Sequence, residues 1–82
     1  MEPLTGEEFK RAVATIGLSV YAAAPFLGMS LRHTQRIAAG EYYAPEAVTK
    51  LLSVMIKYRI SAADFDRLVI ERRVAMMGHA PS

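Results

Sequence analysis

The 82-residue chain contains no cysteine, which excludes a disulfide framework and a thiolate metal site as the means of holding a small fold together. It has no unbroken run of about 18 apolar residues, the length that a membrane-spanning helix requires. The opening residues MEPLTGEEFK are acidic where a secretory signal would be basic and then hydrophobic, so a cytoplasmic protein is expected. Strand-like stretches, internal repeats and low-complexity segments are missing, and so is any Gly-rich phosphate loop following a strand. The carboxylates stand at helix starts or beside bases, with no Cys–His or Ser–His–Asp grouping in an interpretable setting. His33 and His79 are the two histidines, too few and too far apart to make a metal centre. An enzyme is not expected, and neither is a cofactor or a metal.

Charge of one sign is also scarce. Ten Lys and Arg stand against eight Asp and Glu, a net charge of +2 that names no partner. Its distribution says more. Between Ser19 and Ile60 lie five basic residues, Arg32, Arg36, Lys50, Lys57 and Arg59, and two acidic ones, Glu41 and Glu46. Such a modestly positive centre suits a phosphate-rich partner and equally an ordinary solvated face.

What is plentiful is apolar residues at helical spacing. They make up 52% of the chain against 22% charged, a globular balance. A domain of this length buries roughly 60–65% of its unfolded surface around one small core. Thr5 and Glu8 have capping-box spacing. Phe9, Val13 and Ile16 then recur at three- and four-residue steps, and Gly17 supplies a stop. Ser19 caps a second helix, Val20 to Leu27, that ends near Gly28. Pro25 lies inside it, where the hydrogen bond it cannot make would have gone to the carbonyl near Tyr21. Met29 enters the core, and Ser30 caps a third helix from Leu31 to about Ala39, stopped by Gly40. Thr34 and Ile37 fall on one side of that helix, while Arg32, His33, Gln35 and Arg36 spread over the rest. Tyr42, Tyr43 and Ala44 form a linker, with Pro45 at the first position of a fourth helix. Val48, Leu51, Leu52, Met55 and Ile56 form its stripe. Ser61 starts a fifth helix over 61–77, with Asp64 near its positive end and Phe65, Leu68, Val69 and Met76 as its stripe. Arg72 and Arg73 read as its solvated end, and 78–82 as a frayed tail. The expectation is an all-α, compact five-helix bundle forming one domain over 1–82. The connection between helices two and three is short enough to force the steep crossing of a helix-turn-helix.

The residues Leu18-Ser19, Ala24, Leu27-Gly28-Met29-Ser30, Arg36-Ile37 and Gly40 keep, without a gap, the core, turn and stop spacing of one known family. Over residues 5–60 the chain resembles the Cro/cI-type (XRE) helix-turn-helix DNA-binding domains. The resemblance implies a lambda-repressor-like fold whose third helix reads double-stranded DNA. It places Leu31, Arg32, His33, Gln35 and Arg36 at base contacts. Ser19, Ser30, Tyr42, Tyr43 and Lys50 would reach the DNA backbone, although packing of one tyrosine ring against the core reads equally well. The chemistry suits these positions: an arginine fork donates two hydrogen bonds to guanine O6 and N7, glutamine pairs with adenine, and Leu31 can lie against a thymine methyl. The chain departs from the family at Val20, which has no side-chain donor for a phosphate, at Pro25, and at Thr34, where an aliphatic residue is usual. Thr34 can still pack its methyl while its hydroxyl bonds a backbone carbonyl.

The implied function is a sequence-specific transcriptional regulator, a repressor acting as a homodimer on an inverted-repeat operator. Phe65, Leu68, Val69, Ile70 and Val74 are the candidate dimer contacts. The first three serve a core equally well, whereas Ile70 and Val74 lie off that stripe and favour a subunit interface. Two blander readings stand beside this one. The polar residues of the third helix could form a plain solvated face. The chain could also be a small helical protein-interaction module, such as an antiactivator or antitoxin, that keeps the fold but holds a protein partner.

Overall fold

All but one of the helices begin where a side chain satisfies their first free N–H groups. In a computed structural model that describes residues 2–68, α1 spans Gly6–Thr15, α2 Val20–Leu27, α3 Leu31–Ala38 and α4 Glu46–Lys57. The chain is helical again over 62–68, a segment designated α5, and the described residues contain no strand. Met1 and residues 69–82 lie outside the described part, and with them Val69, Ile70, Val74, Met76, the arginines at 72 and 73 and the expected tail.

The capping box of α1 is formed in both directions: Glu8 N–H donates to the Thr5 hydroxyl at 3.2 Å, and Thr5 N–H donates to Glu8 Oε1 at 3.0 Å. Ser19, Ser30 and Ser61 cap α2, α3 and α5 by accepting from Ala22, His33 and Asp64 N–H, each at 3.1 Å. Pro45 departs from expectation. Its ψ of 150° leaves it outside α4 as the cap, and Glu46 is the first helical residue.

The helix ends share one device. After α1, α2 and α3 a glycine with positive φ (Gly17, Gly28, Gly40) turns the chain, and the next N–H reaches back to the last turn, as Met29 does to the Ala24 carbonyl at 2.9 Å. The same closure ends α4, where Ile60 N–H donates to the Met55 carbonyl at 2.8 Å. There the left-handed residue is Arg59, with φ 56°. Pro25 is accommodated inside α2, exposed on its outer side, without breaking the helix.

Phe9, Val13, Ile37, Leu52 and Met55 are the large fully buried residues around which the helices pack, each worth about 1.5–3 kcal/mol by its removal from water. Gly6 sits where α1 meets the end of α3, and a Cβ there would lie 2.8 Å from both the Ala38 carbonyl oxygen and the Gly40 nitrogen. At the other end of α1, Ala62 N–H donates to the Ile16 carbonyl at 2.9 Å and ties the start of α5 to it. Phe65 packs edge-on against Phe26 of α2, ring centroids 5.5 Å apart. Met29 is half-buried against the core, as its spacing suggests.

One apolar expectation changes, and Leu68, offered as a core or a dimer contact alike, lies outside the core. Ile56 is 40% exposed because it lies in the last turn of α4, on the rim of a shallow groove shared with Thr15, Ile16 and Ile60 where α1 has ended. Leu68 is 56% exposed within the described chain. In place of Ile56, Thr49 joins the interior, 2% exposed, with no hydrogen-bond partner for its hydroxyl among the described residues.

Candidate functional site

The polar face of α3 is set by what the opposite face buries. Thr34, Ile37 and Ala38 point into the core, and the Thr34 hydroxyl donates to the Ser30 carbonyl at 2.8 Å, which lets a polar residue occupy an apolar position. At 3.6 residues per turn, the side farthest from that trio carries Arg32 and Arg36, one turn apart. Gln35 stands on the flank toward Leu31, and His33 on the other flank. Arg32, His33 and Gln35 are exposed, while Leu31 and Arg36 are half-buried.

The ion pairs among the described residues are Lys10–Glu7 at 2.8 Å and Lys50–Glu46 at 3.2 Å, so neither arginine of α3 is neutralised by a carboxylate. Two unneutralised guanidinium forks on one ridge present planar donor pairs suited to carboxylate, phosphate or a purine edge. Lys50, by contrast, is held by Glu46 on the surface of α4, a pair that solvent makes worth little. The Ser19 and Ser30 hydroxyls accept from backbone N–H groups, and each keeps its own proton to donate elsewhere. Val20 is half-buried against the core.

The two linker tyrosines separate. Neither ring enters the core: Tyr42 is 49% and Tyr43 70% exposed, so of the two readings given for these residues the packing of one ring inside falls away. The Tyr42 ring lies 5.8 Å from the His33 imidazole, tilted by 31°. Tyr43 lines shallow depressions at the start of α1 with Thr5, Glu2 and Glu8, a carboxylate-lined setting. Sequence reasoning had both His33 and Tyr42 but not their pairing, which depends on the path of the chain after Gly40.

The perturbed acids lie away from this face. Glu8 is held below the ordinary carboxylate range first by the Thr5 backbone N–H and then by the Thr5 hydroxyl. Glu7 is lowered by its hydrogen bond to Lys10 and by that charge. Both belong to α1 as helix-start acids. Among the described residues no group of three or more His, Asp or Glu is placed to hold a metal ion, and no helix is long and apolar enough to cross a membrane.

Compared with protein-family models, with curated proteins and with solved structures, the chain matches none.

Proposed function

We propose that this chain is a sequence-specific DNA-binding transcriptional regulator, a homodimeric repressor that occupies inverted-repeat operator DNA through the major groove. The observation that carries the reading is the Arg32–Arg36 ridge. It stands directly opposite the buried Thr34, Ile37 and Ala38, on a helix reached from α2 through only Gly28, Met29 and Ser30. A short rigid connection and a serine cap fix the angle of such a helix before any partner arrives, so little ordering cost falls on binding. The ridge presents two forks to base edges, Gln35 and Leu31 extend it to one side, and the Ser30 hydroxyl has a proton for a phosphate. A two-fold dimer would set two copies of α3 into successive major grooves about 34 Å apart.

Titration of the protein against the DNA upstream of its own gene and against a scrambled duplex, at rising salt, tests this. The expected result is tighter binding to the upstream duplex at every salt concentration. Equal affinity for both would remove the specificity claim.

A second reading is favoured by Tyr21, Val54 and Tyr58, which stand out from α2 and the end of α4 as large exposed apolar side chains. In that reading the chain is a small helical protein-interaction module, such as an antiactivator or antitoxin. A stable protein complex from a pull-down that retains no DNA would favour it.

A further inference from the structure

The His33–Tyr42 pair links a helix flank to a loop, and its geometry arises from the way α3 ends. Gly40 turns the chain with φ 86°, and Glu41 N–H donates to the Arg36 carbonyl at 3.0 Å, closing the helix. The chain is then directed back along α3, so that Tyr42 meets His33 near the start of the helix. The backbone of His33 is fixed as well, since its amide N–H is the one that the Ser30 hydroxyl caps. Both residues are exposed, so this contact does not fill the core.

We propose that His33 and Tyr42 act as one unit that clamps a backbone phosphate of duplex DNA at the wall of the groove, with Tyr42 both positioning the imidazole and donating its own phenolic proton. The proposal rests on the DNA reading of α3 and deepens it. A helix lying in the major groove turns its outer ridge to base edges and its flanks to the walls, and the walls are phosphodiester. His33 is on such a flank, about 100° round the helix from Arg32, and Tyr42 extends the same flank outward. An imidazole N–H and a phenol O–H are both donors, and two donors on rings already in contact meet an oxyanion at less conformational cost than two free side chains would. Val20 offers no side-chain donor at the start of α2 and is half-buried, so this pair supplies an anchor that α2 lacks.

The test is a double-mutant cycle with His33→Ala, Tyr42→Ala and the double variant, each titrated against the upstream and scrambled duplexes, with Tyr42→Phe as a fourth variant. Both side chains are exposed, so circular dichroism and melting should stay as in wild type. Each alanine is expected to weaken binding about fivefold to tenfold on both duplexes alike, and the double variant little more than either single one. Tyr42→Phe, which keeps the ring and loses the hydroxyl, should fall between wild type and Tyr42→Ala. Without DNA, Tyr42→Ala should also move the NMR signals of the His33 ring protons, whereas Tyr42→Phe should leave them nearly in place. Additive losses, unchanged binding, or a loss confined to the upstream duplex would overturn the clamp while leaving the DNA reading standing. Failure of the wild-type chain to bind either duplex would overturn both.

Discussion

Arg59 carries the backbone conformation that α1, α2 and α3 assign to glycine at their ends. For a residue with a Cβ the left-handed region costs about 1–2 kcal/mol, and here the cost is met because Ile60 must fold back against the core and Ala62 must reach Ile16. Arg59→Gly should therefore stabilise the protein by about 0.5–1 kcal/mol after glycine's greater unfolded freedom is subtracted, raising the melting temperature by roughly 2–6 °C. A fall in the thermal midpoint would show that the arginine side chain makes a contact outweighing the strain. Gly6 presents the opposite case. Its helical backbone suits any residue, yet a Cβ would meet the backbone of Ala38 and Gly40, which cannot swing aside. Gly6→Ala should destabilise by about 1–3 kcal/mol, measured by urea unfolding, and an unchanged midpoint would mean that α1 can slide on α3.

The elements themselves were largely legible in the sequence, because their signals are local. Thr5, Ser19, Ser30 and Ser61 mark helix starts through hydrogen bonds spanning three residues, and Gly17, Gly28 and Gly40 mark ends through a φ that glycine adopts freely. Apart from Pro45, whose shift by one position is local, the misses share a cause, since each depends on how the helices pack on one another. Arg59 acts as a helix stop only because Ile60 and Ala62 are held by the core and by α1. Thr49 is buried by its position on α4 despite its hydroxyl, and Ile56 is exposed because α1 stops short of it. In the candidate site, the inner and outer faces of α3 could be read from spacing, whereas the His33–Tyr42 contact needed the path of the linker. The start of α1 also makes an element-scale prediction. Glu8 has its folded pKa below the ordinary glutamate value, so its contribution is complete above the unfolded value and is lost as the pH falls through the folded one. Glu8→Gln keeps an oxygen for the Thr5 N–H but cannot titrate. Urea midpoints measured from about pH 6 down to about pH 3, a window spanning the carboxylate range, should fall less in Glu8→Gln than in wild type. Parallel curves would remove the capping box from the acid response.

At the scale of the whole molecule, the described surface carries a cationic ridge on α3, a paired lysine, Lys50, on α4 and, near the start of α1, the carboxylates of Glu2 and Glu8. In the proposed regulator these have distinct consequences. Arg36→Ala should cost about 1–3 kcal/mol at one base pair of the operator and little on scrambled DNA. Lys50→Ala, which frees Glu46, should weaken both duplexes alike and lower the salt slope by about 1. Quantitative binding at several salt concentrations separates the two, and identical profiles for both variants would dissolve the distinction between reading and anchoring residues. The bond from Ala62 N–H to the Ile16 carbonyl closes a different circuit, joining the end of the first helix to the start of the last across the whole described chain. Its amide proton is thus a reporter of when α5 lets go. If α5 detaches as a separate cooperative unit, the Ala62 amide will exchange with deuterated solvent well before that of Met55, a fully buried core residue whose amide should open only with the whole fold. Phe65→Ala, by loosening the ring contact with Phe26, should hasten exchange at Ala62 and leave Met55 behind. Equal rates at the two amides would instead make the clasp and the core one melting body.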